Sequence, residues 1–580
     1  MDTRLKALAS ASTQPLLSRP LLWWVTIAFA AVLAGARFVQ LSADFPVGLT
    51  GLGVLLTDEG WWSRNAVALV REGHWYIDDG YNPIVNLPVV PLMQVLWFKL
   101  FGVSLATARS LSAVCLLGVS VITYRIACRT LTRPFALLAP LLILSNYAIF
   151  SFSRLALLEM PMILLILLSL HLTIGAPAWY KTSASGATFT LAVLAKTTAL
   201  FATPLLLWAV VMRPFSVGST QSSAVEPSAI GLSGMGLSGV GLSATRLKAY
   251  WQQHGKATLA RALPWIAIWG LSAIAIYGLY YWLLVSGHPD SFGYFDDFNI
   301  GAKVHDSIWS VLEGPFRVLK YSFQLYPLLL PALLLSLGVL FKCRARNPLF
   351  HLALLWTVLT FGGFSASNYV APRYLTVLIV PMALAIPAAL EVLLRRSAGR
   401  SIGGSASRVE TTFPLPARLL IRRAGWRSSR ALSINARPIL LSLVCLSIVL
   451  SLSRIALYQL HPRYTFVNMA KTVEQYVKNS QADDSLPVMG HFADTLALTT
   501  GIRAVNDQMG FRTLNERLDQ FEPVYYLHIG DLSIPGKGRD PDIVPTLQQR
   551  YQLILLDRFA PYSTHRDAQP VFFYQLMPKI

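Results

Sequence analysis

Long apolar segments separated by short polar ones fill most of residues 1–458. A helix needs about 20 such residues to cross the hydrocarbon core of a bilayer. The pattern predicts spans at Leu21–Gln40, Leu105–Cys128, Pro134–Phe150, Met160–Ile174, Ala262–Ser286, Tyr321–Phe341, Leu349–Phe364, Arg373–Leu394 and Ile439–Leu457. The run Ser183–Met212 is interrupted by Lys196-Thr-Thr. Read as two short spans turning at Lys196, it keeps Lys181 and Arg213 on one side and brings the expected total to eleven. Leu87–Phe101 is apolar but too short to cross. With Glu59–Glu72 it predicts a pair of juxtamembrane helices in an outer loop, residues 41–104, and simple packing on the bundle would account for them.

After residue 458 the pattern changes to short alternating elements. Helices are expected at Thr465–Asn479, Asp494–Thr500 and Ile543–Tyr551, and strands at Leu486–Phe492, Val524–Ile529, Leu553–Asp557 and Val571–Leu576. Such alternation indicates a small α/β domain, residues 459–580. The expected fold class is therefore a polytopic α-helical membrane protein carrying a C-terminal α/β domain on its outer face.

Composition strengthens the membrane assignment, since 54% of the 580 residues are hydrophobic and only 13% are charged. The net charge of +20 raises the question of nucleic acid, but the placement of the basic residues answers it. They crowd Arg395–Arg437, with further groups at Arg125, Arg129 and Arg133 and at Lys342, Arg344 and Arg346, and the loop 213–261 is also basic, whereas Leu41–Ser104 holds six acids and three bases. Basic loops alternating with acidic ones follow the positive-inside pattern, which orients the N-terminus inside and residues 459–580 outside. The bulk charge then reports topology and contact with anionic membrane lipids, and no nucleic-acid partner is expected. Cys115, Cys128, Cys343 and Cys445 show neither a disulfide framework nor zinc-ligand spacing. No small-residue cleavage site follows Leu21–Gln40, which reads as a retained span. The repeats Gly231-Leu-Ser, Gly236-Leu-Ser and Gly241-Leu-Ser read as a flexible linker.

In so apolar a chain, Asp58-Glu59 stands out, with Arg64 close behind. One reading is a helix start, Thr57 or Asp58 serving as N-cap and Glu59 favouring the helix dipole. The other is a general base at the membrane interface, its pKa raised by partial burial. The outer loop Ser151–Pro161 adds Arg154 and Glu159, which either pair with each other or, for Glu159, converge on Asp58. Two converging carboxylates suit acid/base work or a divalent cation such as Mg or Mn. Lys196 is costly at membrane depth unless it snorkels to the headgroups or has a function. Arg373 stands at the outer mouth of a span. Lys196, Arg373 and Arg154 are the cations expected to hold a phosphate on the acids' side. His74, His288 and Asp290 are weaker candidates.

A resemblance joins these residues. Asp58-Glu59, the Asn82-Pro83…Pro88…Pro91 run ending in Leu96-Trp-Phe-Lys-Leu-Phe-Gly102, and Ala108-Arg-Ser-Leu-Ser are followed by Ser153-Arg-Leu-Ala-Leu-Leu-Glu-Met-Pro161, Leu194-Ala-Lys-Thr197 and Pro372-Arg-Tyr374. In that order, over residues 20–400, the chain resembles GT-C membrane glycosyltransferases of the protein O-mannosyltransferase and aminoarabinose transferase type. The resemblance implies a polyprenyl-phosphate sugar donor and inversion at the anomeric carbon. It implies that Asp58 is the catalytic acidic residue and Glu159 the second acidic position, supported by Glu59 and Arg64. Lys196 and Arg373 match positions expected near the lipid phosphate. Asn82-Pro83 departs from the His-Pro or Pro-Pro pair frequent in relatives, which bears on the acceptor side.

The expected function is an inverting glycosyltransferase at the outer face of a bacterial inner membrane, its C-terminal domain periplasmic. Its acceptor would be a lipid, glycan or protein. A transporter or flippase of a lipid-linked saccharide is the alternative, because it too needs a polar cavity and cations for phosphate. The halves show no pseudo-symmetric repeat of the kind transporters often carry.

Overall fold

The computed structural model describes residues 19–46, 48–51, 54–78, 82–175, 178–216, 256–294, 308–342, 348–367, 369–402, 426–480, 487–508, 510, 512–530, 543–563 and 568–579. Residues 217–255 and 403–425, which hold most of the two basic loops and the Gly-Leu-Ser repeats, lie outside the described residues, as does Cys343.

The first part of the chain is all helical: α1 (Arg19–Gly35), α2 (Glu59–Arg71), α3 (Val89–Phe101), α4 (Leu105–Ala127), α5 (Arg133–Ser145), α6 (Tyr147–Phe152) and α7 (Glu159–Thr173). It continues through α8 (Trp179–Ala195), α9 (Thr203–Ser216), α10 (Lys256–Tyr280), α11 (Ile308–Leu325), α12 (Leu329–Lys342), α13 (Pro348–Ser365), α14 (Ile379–Ile402) and α15 (Trp426–Leu460). Among the described residues five helices are long and apolar enough to cross a membrane: Leu105–Ala127, Ala260–Val285, Pro348–Ser365, Pro372–Arg395 and Ala436–Asn479.

The remaining expected spans coincide with shorter or broken helices, and the breaks have local causes. Asn146 ends α5 and caps α6, its Oδ1 accepting from the Ile149 amide at 2.9 Å. The uninterrupted span expected over Tyr321–Phe341 is bent by 108° between Leu312–Leu325 and Leu329–Lys342. Pro327 sits at that bend, where a missing N–H and a bulky ring oppose helix continuation. Lys196 is extended, with φ −164° and ψ 125°, so the chain does break where its sequence is interrupted. Small residues permit the closest packing of α8 on α10. A Cβ on Gly186 would lie 2.2 Å from the Trp269 carbonyl oxygen, which only glycine avoids.

The C-terminal part contains α16 (Thr465–Asn479), β1 (Val488–Gly490), α17 (Ala493–Thr500), β2 (Ala504–Val505) and α18 (Leu514–Phe521), then β3 (Tyr525–Ile529), α19 (Ile543–Arg550), β4 (Tyr551–Phe559) and β5 (Val571–Pro578). The strands form one mixed sheet in the order β2-β1-β3-β5-β4. β1 runs parallel to both β2 and β3, while β5 is antiparallel to β3 and β4. In α16, Phe466, Met469, Ala470, Val473 and Val477 are buried, the spacing of a single helix face. The short elements β2 and α18 were not expected from the sequence.

Candidate functional site

Asp58 closes a π-helical turn, Val54–Asp58, immediately before α2. Its side chain makes no capping bond to the helix, so the N-cap explanation does not hold for Asp58. The carboxylate turns to Arg373 instead, with Oδ2 2.8 Å from Nη2. Glu159 opens α7, and its Oε1 lies 2.5 Å from Lys196 Nζ and 3.2 Å from Arg373 Nε. The expected alternative, an Arg154–Glu159 pair, is not formed. Arg373 thus joins the two carboxylates.

All four side chains of this quartet are buried, at 2–8% exposure. Four charges removed from water persist only because they neutralise one another. Their aromatic surround is also specific. Lys196 Nζ lies 4.1 Å from the centre of the Tyr374 ring, and Arg373 Cζ lies 5.3 Å from it. Tyr374 in turn stacks on Phe364. Arg373 is carried on a 3₁₀ turn, Pro372–Leu378, that starts on a proline with preset φ. Tyr326, at the bend between α11 and α12, directs its hydroxyl to the Leu375 and Thr376 carbonyls of that turn, each at 3.4 Å.

Three polar atoms of the quartet are buried without a hydrogen-bond partner, Arg373 Nη1, Glu159 Oε2 and Asp58 Oδ2, the last held by its ion-pair contact with Arg373 alone. An unmet buried donor or acceptor costs about 1–3 kcal/mol, which a polar ligand would recover. Burial raises the Asp58 carboxyl above its ordinary range. Arg373 and, more weakly, Lys196 and the Thr57 hydroxyl oppose this shift, whereas Glu159 reinforces it.

The neighbouring acid has a different task. Glu59 receives Arg109 Nε at 2.8 Å on Oε1 and Arg109 Nη2 at 2.6 Å on Oε2. Its Oε1 also accepts the Ala156 amide at 2.7 Å, and Arg109 Nη1 donates to the Leu41 and Ala43 carbonyls. One buried pair therefore ties residues 41–43, α2, α4 and the loop leading to Glu159. Sequence reading missed Arg109 as a site-building residue, although an arginine inside the apolar segment Leu105–Cys128 was signal enough.

Two other expected site residues are engaged elsewhere. Arg154 donates to the carbonyls of Val39 at 2.6 Å, Gln40 at 2.7 Å, and Ala36 and Arg37 at 3.2 Å each. It secures the chain leaving α1, apart from the quartet that joins the other expected cations. Arg64 Nε lies 3.7 Å from Asp494 Oδ1 of the C-terminal domain. Asn82 is a buried hub of the segment between α2 and α3. Its Oδ1 accepts from Asn65 Nδ2 and the Ile77 amide, both at 2.8 Å, and its Nδ2 donates to the Ile77 carbonyl at 2.9 Å. His74 pairs with Glu72 on the surface, and His288 packs on Tyr76.

Among the described residues no group of three or more His, Cys, Asp or Glu side chains is arranged to hold a metal ion. Between the two carboxylates expected to bind one lies the Arg373 guanidinium. A bridging divalent cation would have to displace it, so the residues present do not fit such an ion.

A second feature opens beside α2. A cavity of about 690 Å³ is walled by Arg64, Arg71 and Asp78 on one side and by Lys478, Asp494 and Arg503 of the C-terminal part on the other. A narrow apolar cleft of about 30 Å³, lined by Met162, Thr198, Phe201, Trp356, Phe364 and Val377, begins within about one turn of Glu159, Lys196 and Arg373.

Residues 83–224 match the family model of dolichyl-phosphate-mannose-protein mannosyltransferases. The match includes Glu159 and Lys196 and leaves out Asp58 and Arg373. No curated protein matches the sequence. The fold is similar to that of ArnT from Cupriavidus metallidurans, solved bound to undecaprenyl phosphate, with a TM-score of 0.53 and 15% identity over 96% of this chain and 98% of ArnT. The apo oligosaccharyltransferase of Archaeoglobus fulgidus gives a TM-score of 0.46 and 11% identity, covering 96% of this chain and 74% of the other. The likeness to GT-C enzymes of the mannosyltransferase and ArnT type, first seen in scattered sequence fragments, thus recurs in a family model and in the fold.

Proposed function

We propose that the protein is an inverting glycosyltransferase that moves a sugar from a polyprenyl-phosphate donor to an acceptor hydroxyl at the outer face of a bacterial inner membrane. The observation that carries the reading is the quartet. A carboxylate shifted toward proton acceptance shares one buried site with two cations, one of which has an unmet donor.

In the reaction, the acceptor oxygen attacks the sugar C1 while Asp58 takes its proton. The bond from C1 to the phosphate oxygen breaks, and the electron pair leaves with the polyprenyl phosphate. A base with a raised pKa is a better proton acceptor than an ordinary carboxylate. Negative charge develops on the leaving phosphate, where preorganised cations lower the barrier most. Arg373 is able to supply Nη1 there without giving up its contacts to the two acids. Lys196 stands beside it, and Glu159 holds both cations in place.

The apolar cleft starting beside the quartet supports a lipid-linked donor, whose chain would part the walls as it enters. The polar cavity beside α2 supports placing the water-facing part of the acceptor there, since Arg64 lies within two turns of Asp58. A bacterial location with the C-terminal domain in the periplasm accords with the basic inner loops. Because Arg373 stands between the carboxylates, no step is assigned to a metal ion.

The test is sugar transfer by the purified protein in nanodiscs, using polyprenyl-phosphate sugars and extracted envelope glycolipids, glycans or proteins as acceptors. Formation of an inverted glycosidic bond by the unaltered protein, lost at least 1000-fold in Asp58→Asn, is the expected result. Movement of the lipid-linked sugar across the bilayer without a new bond would establish the transporter reading in its place.

A further inference from the structure

We infer that the C-terminal domain completes the catalytic site through Thr495, a positioning residue whose hydroxyl holds the turn bearing Asp58. The inference rests on the assignment of Asp58 as the base and adds a residue more than four hundred positions away in sequence. Thr495 belongs to α17, and its side chain is buried. Its Oγ1 accepts from the Gly60 amide at 3.2 Å and donates to the Thr57 carbonyl at 3.4 Å. Those two backbone groups bracket Asp58-Glu59. A single hydroxyl therefore bridges the chain immediately before and immediately after the acidic pair.

The approach is built into the sequence. A Cβ at position 60 would lie 2.1 Å from the Thr495 backbone nitrogen, so glycine is required for α17 to come this close. Neighbouring contacts fix the same register. Tyr562 directs its hydroxyl to the Leu55 carbonyl at 3.4 Å, Arg64 meets Asp494 at 3.7 Å, and His491 stands edge-on to Trp61 at 5.7 Å between ring centres. Residues 55, 57, 60, 61 and 64 are thus gripped by the C-terminal domain on both sides of Asp58.

A grip of this kind has a chemical reason. Asp58 sits at the end of a π-helical turn, a rare geometry found mostly as single turns and often at functional sites. Positioning errors of about 1 Å cost on the order of 100-fold in rate. The Glu59–Arg109 pair holds the turn from the bundle side, whereas Thr495 holds it from the outer domain.

The experiment compares full-length Thr495→Val, which removes the hydroxyl at nearly constant shape, with Thr495→Ser, which keeps it. Kinetics and polyprenyl phosphate binding are measured in nanodiscs, and amide exchange is followed over residues 55–62. In Thr495→Val, kcat should fall about tenfold, the worth of one hydrogen bond. Its binding of polyprenyl phosphate should stay within twofold, and exchange at Gly60 should accelerate. Thr495→Ser should restore most of the rate and the protection. Unchanged exchange and kcat in Thr495→Val, or equal losses in both variants, would overturn the inference. If the unaltered protein transfers no sugar, the proposed function fails while the exchange comparison still decides whether the hydroxyl holds the turn.

Discussion

Arg373 lies 2.8 Å from Asp58 through Nη2 and is joined to Glu159 through Nε at 3.2 Å. Fork geometry makes this possible, because a guanidinium presents several donors in a fixed plane whereas an ammonium is a point charge. Two acids from distant parts of the chain are thereby held at one cation, with Nη1 left over for a ligand.

The first prediction separates the two cations from the base. Arg373→Met and Lys196→Met should each weaken polyprenyl phosphate binding at least tenfold, read by titration in nanodiscs, with little change in the KM for the acceptor. Arg373→Met should also destabilise the fold more than Lys196→Met. It strips both carboxylates of a partner, and breaking a buried ion pair costs about 3–5 kcal/mol. Equal losses on donor and acceptor sides would count against phosphate binding.

A second prediction concerns pH. Asp58 must be ionised to accept a proton, and burial raises its pKa above the ordinary value, Arg373 and Lys196 opposing and Glu159 reinforcing the shift. Raising the pKa moves protonation to higher pH, so kcat should decline with acidification before the ordinary carboxylate range near 3.9 is reached. Glu159→Gln removes the charge that reinforces the shift, and the acid limb of the profile should move to lower pH in that variant. An acid limb unmoved by this change would show that another group governs it.

Much of this arrangement was legible in the sequence, and the rest was hidden for physical reasons. Asp58, Glu159, Lys196 and Arg373 stood out because charge is expensive in an apolar chain, and the structure brings all four together. The same logic grouped Arg154 with them, whereas the structure engages it with backbone carbonyls, which satisfy a buried arginine equally well. The C-terminal elements were readable where a short run was rich in aromatic and aliphatic residues, as in β3 and β5. β2 was missed because two residues, Ala504 and Val505, carry no period. Thr495 was invisible. Its role arises from a close approach at Gly60, and nothing local in either segment announces the other.

The third prediction tests the buried brace. Arg109→Met leaves Glu59 buried without its cation and should lower stability by about 3–5 kcal/mol. The double variant Glu59→Gln/Arg109→Met should regain a large part of that loss, because the uncompensated charge is gone. Thermal melting in detergent reads both effects. The double variant should nonetheless remain slow in sugar transfer. The Leu41 and Ala43 carbonyls lose the Arg109 guanidinium that sets residues 41–43 in register with α4. Additive losses in Arg109→Met, Glu59→Gln and their combination would show that the pair is not coupled.

The fourth prediction is independence from divalent cations. Mg²⁺ demands near-octahedral oxygen coordination and is usually held by one or two carboxylates with substrate and water oxygens. Here both candidate carboxylates already face cations, Asp58 on Arg373 and Glu159 on Arg373 and Lys196. A metal bridging them would place a double positive charge against a guanidinium in a buried site. Transfer should therefore continue at an unchanged rate in excess EDTA, and added Mg²⁺ or Mn²⁺ should not raise it. Arg373→Met removes the competing charge and opens the space between the acids. If a divalent cation restores transfer in that variant alone, the native guanidinium occupies the position that a metal ion would take. Loss of activity on chelation in the unaltered protein, recovered by Mg²⁺ or Mn²⁺, would instead mean that Arg373 moves aside when substrate binds.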